Sequence, residues 1–294
     1  MAIGMVVRAI AGFYYVEPEP GGQQVECSVR GRLKLSSEGL LVGDRVEFLN
    51  NDGQGVITGV LKRESVLKRP YVANANLIVL VFAHQNPDPG PLLIAKFSVL
   101  AAASGIPYLI VFNKTDLVTP GKAGKLSGTY REYGYRTICT SVVSHLGKRT
   151  LKQELKGKIA VFAGPSGVGK SALVNLVAPG LELRTGSLSE KIGRGKHTTR
   201  EVQLLKTGPN SYIADTPGFS QINFDFLKPE ELAEFFPDLS VYHGKCKFNT
   251  CIHLNEPGCT IKNAVDNGKI SKARYETYIE LLQEVKNNWD NRYR

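Results

Sequence analysis

The chain of 294 residues lacks any apolar run that approaches the ~20 residues needed to cross a bilayer. Its first residues, Met1–Arg8, also lack the basic lead and the sustained apolar core of an export signal. Internal repeats and low-complexity tracts are missing too. The composition, 42% apolar and 22% charged, is that of a globular protein and excludes collagen-like and disordered classes. We therefore expect a globular, cytoplasmic protein with no membrane partner. We also expect it to be a monomer.

Acidic residues are fewer than basic ones, with 27 Asp and Glu against 37 Lys and Arg, so the net charge is +10 and the isoelectric point is near 9.3. A basic balance of this size favours an anionic partner such as nucleic acid or a membrane surface. The alternative is a basic enzyme whose charge serves no partner.

Cysteine is scarce, with five residues in the whole chain, so a disulfide framework is not expected. Three of the five, Cys246, Cys251 and Cys259, crowd one short segment that also contains His253. Three thiolates and one imidazole at these spacings predict a closed tetrahedral zinc site with a structural role. The alternatives are His243 as the fourth ligand, or four side chains that bind no metal.

Glycine is concentrated after the apolar run Ile159–Ala163, which predicts a buried strand. The spacing G-x-x-x-x-G-K-S is that of a P-loop, whose backbone N–H groups surround phosphate oxygens at a helix start. In this motif Lys170 reaches the β- and γ-phosphates and the Ser171 hydroxyl binds Mg²⁺. We predict nucleotide contacts for Gly164, Pro165, Ser166, Gly167, Val168, Gly169, Lys170, Ser171 and Ala172. The alternative is a glycine-rich turn that binds nothing.

A second motif precedes the P-loop in the chain. The apolar strand Tyr108–Phe112 ends in Asn113, Lys114, Thr115 and Asp116, which matches the NKxD guanine-recognition motif. A carboxylate at Asp116 accepts hydrogen bonds from guanine N1–H and the exocyclic amine, and the Lys114 stem covers the base. By itself the tetrapeptide also fits an ordinary turn after a strand.

A third motif, Asp215-Thr216-Pro217-Gly218, follows the predicted strand 210–214. It matches the DxxG switch, in which the Asp holds Mg²⁺ through water and the Gly N–H meets the γ-phosphate. Read alone, this sequence is simply a good turn.

The order NKxD, P-loop, DxxG resembles that of the circularly permuted GTPases of the RsgA/YjeQ family, which act in small-ribosomal-subunit biogenesis. The resemblance covers nearly the whole chain and implies a guanine contact from the Ser141 backbone N–H. It also implies a switch element at 195–199, in which Thr199, or else Thr198, binds Mg²⁺. Phe219 stands where Ras-like proteins carry a water-orienting Gln, so His197 is the candidate for positioning the attacking water. A solvated loop histidine, or a contact to RNA phosphate, is the alternative for His197.

Short alternating strands before residue 62 predict a five-stranded OB-fold barrel. The predicted strands are Met5–Ala9, Phe13–Val16, Val25–Leu33, Asp44–Leu49 and Gly55–Leu61. Basic residues alternate with aromatic ones here, which is typical of an RNA-stacking surface, although a solvated face over core aromatics gives the same pattern. The residues concerned are Arg8, Arg30, Arg32, Lys34, Arg45, Phe13, Tyr14 and Tyr15.

Residues 61–70 read as a basic connector, after which strands alternate with helices and predict a parallel α/β sheet. The fold class is thus a circularly permuted α/β P-loop GTPase domain with an N-terminal all-β OB-fold barrel and a C-terminal α-helical zinc-binding domain. The predicted boundaries are 1–62, 63–223 and 224–294.

The predicted function is a GTPase that binds the small ribosomal subunit and its rRNA during late maturation, with hydrolysis controlling release. GTP or GDP with Mg²⁺, and one structural Zn²⁺, are the implied cofactors. A nucleotide-gated RNA-binding module with incidental turnover, or a metabolic P-loop NTPase or kinase, are the alternatives.

Overall fold

The computed structural model of the chain describes residues 1–29, 39–51, 54–68, 70–181, 202–215 and 222–293. The strands of this part of the chain are β1 (Ala2–Ile10), β2 (Phe13–Pro18), β3 (Val25–Val29), β4 (Arg45–Asn51), β5 (Gln54–Val60), β6 (Val66–Lys68), β7 (Tyr71–Ala73), β8 (Leu77–Ala83), β9 (Tyr108–Asn113), β10 (Thr137–Cys139), β11 (Ile159–Ala163), β12 (Gln203–Gly208) and β13 (Ser211–Asp215). Its α-helices are α1 (Pro91–Ala103), α2 (Pro120–Glu132), α3 (Lys148–Glu154), α4 (Lys170–Val177), α5 (Pro237–Ser240), α6 (Thr260–Asp266) and α7 (Lys272–Asp290). No helix of the described ranges is long and apolar enough to cross a membrane.

The first five strands form a closed barrel, in the order β1-β2-β3-β5-β4 with β1 also pairing with β4. Alternation sets which side of each strand is buried: Val25 and Cys27 point inward while Glu26 is exposed. Gly4 allows β1 and β2 to approach, because a Cβ there would lie 2.5 Å from Val16 Cγ1. The predicted OB-like barrel is confirmed.

The chain divides into two units, and the first comprises Met1–Val79 and Gly147–Phe219. In it, β11 and β13 pair in parallel, β12 pairs with β13 antiparallel, and β12 continues antiparallel onto β1 of the barrel. The junction is reinforced by Glu17, only 6% exposed, whose carboxylate accepts hydrogen bonds from Lys206 Nζ and, at 3.2 Å, from the Tyr212 hydroxyl.

The second unit comprises Leu80–Leu146 and Ser220–Arg294. Its strands run in the order β10-β9-β8, and β9 and β10 are parallel. Its core continues into the C-terminal helices, where Tyr278, Leu282 and Val285 of α7 pack with Cys251 and Cys259. The last helix therefore packs against the cysteine segment.

The prediction that residues 61–70 form a basic connector is wrong in part. Residues Val66–Lys68 form β6, which pairs with β7 as a hairpin, Leu67 facing Val72. Leu67 and Val72 are both buried, and this apolar pair stabilises a strand inside a segment whose charges suggested a linker. Of the two cysteines outside the zinc segment, Cys27 is fully buried and Cys139 is half-buried. The predicted domain boundaries stay a prediction.

Candidate nucleotide and metal sites

The loop between β11 and α4 has the backbone that a phosphate cradle needs. Gly164, Gly167 and Gly169 have φ of 139°, 78° and 93°, values that residues with a Cβ rarely adopt. Gly169 directly precedes α4, so successive N–H groups of the loop lead to a helix N-terminus, which favours anions. The glycines of the motif are thus explained by the conformation of the turn.

Lys170 and Ser171 form the first turn of α4 and are only 6% and 8% exposed. The Lys170 ammonium donates hydrogen bonds to the carbonyl oxygens of Gly164 at 2.9 Å and of Pro165 at 2.7 Å. Burial lowers the pKa of Lys170 to about 8. A polyphosphate in this loop would supply the negative charge that the buried ammonium otherwise lacks.

Asp215 ends β13 at the edge of the sheet that carries the P-loop. The last register pair of the parallel strands joins Val161 to Ala214, so Asp215 lies one residue further on, next to the start of the loop. Because parallel strands end at the same sheet edge, the first unit brings Asp215, Lys170 and Ser171 to one side.

In the second unit, the Asn-Lys-Thr-Asp segment forms a braced loop after β9. Asn113 is 1% exposed and its side-chain oxygen accepts a hydrogen bond from Thr140 Oγ1 at 3.0 Å. Lys114 adopts a left-handed φ of 59°, and its ammonium donates to the Asn86 carbonyl. Thr115 Oγ1 donates to the Thr140 carbonyl at 2.9 Å. The loop is thus tied to the segment that follows β10.

Asp116 is exposed at the tip of this loop and is oriented by Ser141, whose hydroxyl donates to Asp116 Oδ1. The same Ser141 Oγ accepts a hydrogen bond from the Ser144 N–H at 3.1 Å. The Ser141 N–H, for which a guanine contact was predicted, donates to the Leu146 carbonyl at 3.1 Å, and that contact stays a prediction. Spacing could not reveal that the Ser141 side chain orients Asp116, because 25 residues separate the two.

Several predicted residues lie outside the described ranges. They are Gly218 of the DxxG motif, Phe219, the switch residues His197, Thr198 and Thr199, and the barrel residues Arg30, Arg32 and Lys34. Their roles stay predictions.

The predicted zinc ligands are brought together in the second unit. Cys246, Cys251, His253 and Cys259 place their ligand atoms within 4.8 Å of one another. The three sulfurs lie 3.5, 3.4 and 3.4 Å from His253 Nδ1, and Cys246 Sγ lies 4.0 Å from Cys259 Sγ. Zinc bonds of about 2.3 Å to sulfur and about 2.0 Å to nitrogen would give tetrahedral edges of about 3.5 and 3.8 Å, so the donor set fits the ion.

His243, the alternative ligand, is not part of this cluster, because its Nε2 pairs with Glu234 Oε1 at 2.9 Å. Burial raises the pKa of the Cys251 thiol to about 12 and lowers that of His253 to about 4. A neutral imidazole is already the form that binds metal, whereas the Cys251 thiol would give up a proton to do so.

The loop that carries His253 is held by a carboxylate that the sequence motifs did not reveal. Glu256 accepts hydrogen bonds from the N–H groups of Ile252, Leu254 and Asn255 at 2.9, 2.8 and 3.0 Å. Burial acts to raise the Glu256 pKa, but these N–H donors outweigh it and lower the pKa. Tyr275 on α7 adds a hydrogen bond to the His253 carbonyl at 2.6 Å.

The predicted RNA-stacking surface of the barrel is only partly free. Arg8 lies 3.9 Å above the ring of its cross-strand neighbour Tyr15, a cation–π contact. Arg45 forms a two-pronged ion pair with Glu19, at 2.9 and 2.7 Å. Phe13 is 48% exposed. Arg45 is thus less available to a polyanion than the sequence alone indicated.

The phosphate loop with Asp215, and the loop ending in Asp116, define a guanine-nucleotide-binding P-loop protein. The base-recognition segment precedes the phosphate loop in the chain, so the order is circularly permuted.

Comparison with known proteins agrees with this class. A family model described as RsgA GTPase matches residues 60–225, and one described as RsgA N-terminal domain matches residues 3–57. The chain belongs to the RsgA GTPase family and is a GTPase.

Two curated relatives share the name small ribosomal subunit biogenesis GTPase RsgA. The one from Alkaliphilus metalliredigens is 43% identical, over 98% of this chain and 99% of its own. The one from Caldanaerobacter subterraneus is also 43% identical, over 99% and 98%.

Two solved structures are similar over almost the whole chain. YjeQ from Thermotoga maritima has a TM-score of 0.84 and 37% identity, covering 97% of this chain and 98% of that one. YloQ, described as a circularly permuted GTPase, has a TM-score of 0.80 and 33% identity, covering 98% and 96%.

Proposed function

We propose that this GTPase binds the small ribosomal subunit, assists its late maturation and is released when GTP is hydrolysed. The observation that carries the proposal is the pair of loops. The Ser141 hydroxyl orients the Asp116 carboxylate, which suits guanine, and the P-loop glycines have the positive φ values that phosphate binding requires. The partner is supported by the names of the relatives and by the net charge of +10, which suits an RNA-rich assembly.

The residues at the P-loop divide the phosphate chemistry between them. The loop N–H groups and the Lys170 ammonium bind the β- and γ-phosphates and counter the charge that develops there. The Ser171 hydroxyl and the Asp215 carboxylate are hard oxygen donors at one sheet edge, which is the donor type that Mg²⁺ prefers. Ser171 and Asp215 would hold magnesium there, and the bound ion would supply positive charge that offsets the negative charge of the phosphates.

We assign Thr199 as a further protein oxygen toward Mg²⁺, and His197 as the group that orients the attacking water. The residue after DxxG is Phe219, which has no polar atom for this task. Without a Gln at that position, intrinsic turnover is expected to be slow, and an ordered partner surface would raise it by fixing the switch segment.

Zinc at Cys246, Cys251, His253 and Cys259 is proposed to be structural. All four ligand positions come from the protein, so no coordination site is left for substrate. The ion would stabilise the loop between residues 246 and 259 and thereby the C-terminal domain, here placed at 224–294. The barrel is placed at 1–62 and the GTPase domain at 63–223, and the protein is proposed to act as a cytoplasmic monomer.

The test combines turnover with sedimentation. Purified small subunits should raise GTP hydrolysis by orders of magnitude, and a non-hydrolysable GTP analogue should retain the protein on subunits better than GDP does. Lys170→Ala should abolish hydrolysis, whereas His197→Ala should keep GTP binding and lose stimulated turnover. Absence of both stimulation and nucleotide-dependent association would refute the proposal and favour a metabolic NTPase. Nucleotide-dependent association without stimulation would favour the RNA-binding module with incidental turnover.

A further inference from the structure

A groove with a cavity volume of about 370 Å³ lies in the first unit, at the sheet edge opposite the P-loop. One wall is α3 with the turn that follows it, and the other is the β12–β13 turn at Thr207–Ser211. Leu155 and Val177, 3% and 2% exposed, form an apolar floor. We call this feature the amino-edge groove, because its walls lead into the amino ends of β11 and β13.

The position of the groove separates it from the P-loop. The P-loop follows the carboxyl end of β11, and Asp215 is the last residue of β13, whereas the groove lies at the start of both strands. Five residues of strand span about 16 Å. A ligand in the groove therefore leaves the phosphate-binding loop free.

One wall of the groove carries a stripe of positive charge. Arg149, Lys152 and Lys156 are spaced by three and four residues, which places them on one face of a helix. The Lys156 N–H still donates to the Gln153 carbonyl, so the helical course continues past the end of α3. All three cations are exposed, and none has an ion pair within the described residues. No acidic side chain lines the groove in that part of the chain.

The facing wall is held by hydrogen bonds of Ser211 and Thr207 and offers few free donors. Ser211 Oγ accepts the Gly157 N–H at 2.8 Å and donates to the Pro209 carbonyl at 3.0 Å. Thr207 Oγ1 donates to the Ser211 carbonyl at 3.2 Å. Because these hydroxyls are already hydrogen-bonded within the protein, this wall supplies shape rather than hydrogen-bonded recognition of particular bases.

We propose that the amino-edge groove binds the phosphodiester backbone of single-stranded RNA, independently of its sequence. Three unpaired cations in a row complement a polyanion, and the apolar floor suits the ribose and base faces between phosphates. An acidic peptide would match the positive charge, but its carboxylate side chains would make fewer contacts with the apolar floor than riboses and bases do. The inference rests on the proposed function, since it names a contact for the RNA of the proposed partner.

The test compares the salt dependence of RNA binding between the wild type and a variant in which two lysines of the groove are replaced by glutamine. The probe is fluorescein-labelled oligouridylate of about 12 nucleotides, followed by anisotropy between about 50 and 200 mM salt. Lys152→Gln with Lys156→Gln removes two phosphate contacts, so the slope of log K against log salt should become shallower by about 1.4. At about 0.1 M salt the affinity should fall by at least about tenfold.

The matched control is Lys122→Gln with Lys125→Gln, two exposed lysines of α2 with the same change in charge. Its slope should stay close to that of the wild type, and both variants should bind GTP as the wild type does. Equal slopes for the two variants would overturn the groove assignment, as would a poly-glutamate peptide that binds the wild type as tightly as the RNA. Loss of a dimer in the groove variant alone would show a self-association surface instead.

The two proposals fail in different ways. If the wild type binds small subunits in a nucleotide-dependent manner while the groove variant binds oligouridylate normally, only the groove inference is wrong. If the wild type binds neither subunits nor oligouridylate, both are wrong.

Discussion

Asp116→Asn should reverse the base preference of this protein, and the structure indicates how strongly. The Ser141 hydroxyl donates to Asp116 Oδ1 while accepting the Ser144 N–H, so its proton needs an acceptor at position 116. In the variant, the amide oxygen should meet that proton, which turns the NH₂ group toward the base. A donor then faces the N1–H and amine donors of guanine.

The magnitude follows from two costs. Replacing a charge-assisted hydrogen bond loses about 1.5–3 kcal/mol, and a donor left without an acceptor costs about 1–3 kcal/mol more. The sum of about 2.5–6 kcal/mol corresponds to a loss of GTP affinity of about 10²- to 10⁴-fold. Xanthosine triphosphate, which has a carbonyl in place of the amine, should gain affinity for the variant.

Equilibrium titration of both nucleotides against wild type and variant measures this. Adding Ser141→Ala to Asp116→Asn supplies the control for the orientation argument, because the amide can then turn its oxygen to guanine. The double variant should recover about tenfold in GTP affinity over Asp116→Asn, the effect of roughly one neutral hydrogen bond. GTP affinity of Asp116→Asn within a few-fold of wild type would refute the reasoning about guanine. A double variant no better than the single one would refute the role given to Ser141.

Three further predictions concern the P-loop, the zinc site and the core of the second unit. Burial lowers the pKa of Lys170 to about 8, and bound polyphosphate favours its ammonium form. GTP affinity should therefore fall as pH rises above about 8. Calorimetry in two buffers should detect the uptake of a proton on binding. Lys170→Arg should abolish this pH dependence, and a flat wild-type profile to pH 9.5 would contradict it. Purified protein should hold about one zinc per chain, and Cys251→Ser should lose the metal and expose the C-terminal domain to protease while GTP binding persists; metal analysis showing no zinc would refute this. Arg274 is 3% exposed and pairs with Asp238 at 2.9–3.2 Å. Arg274→Ala should therefore lower the free energy of unfolding by about 3–5 kcal/mol, because it leaves the Asp238 charge without its partner. The double variant Arg274→Ala with Asp238→Ala should lose less than the sum of the two single losses. Denaturant titration of the two single variants and the double variant measures these costs, and simple additivity would show that the pair is not coupled.

The sequence by itself determined the class of the protein, because its decisive signals are short-range. A phosphate loop requires glycines at positive φ directly before a lysine and a hydroxyl residue, and Gly164–Ser171 satisfy this within eight positions. The four zinc ligands fall within fourteen residues, from Cys246 to Cys259, so their grouping was also readable. The barrel strands follow from alternation that each strand carries alone.

Only the tertiary structure decided which distant side chains complete or occupy these sites. Ser141 orients Asp116 across 25 residues, and Arg45 is neutralised by Glu19 across 26. The stripe from Arg149 to Lys156 becomes a groove only because the β12–β13 turn, some fifty residues later in the chain, packs opposite it. Such pairs are selected by how strands and helices pack, a property of the whole chain that no local spacing encodes.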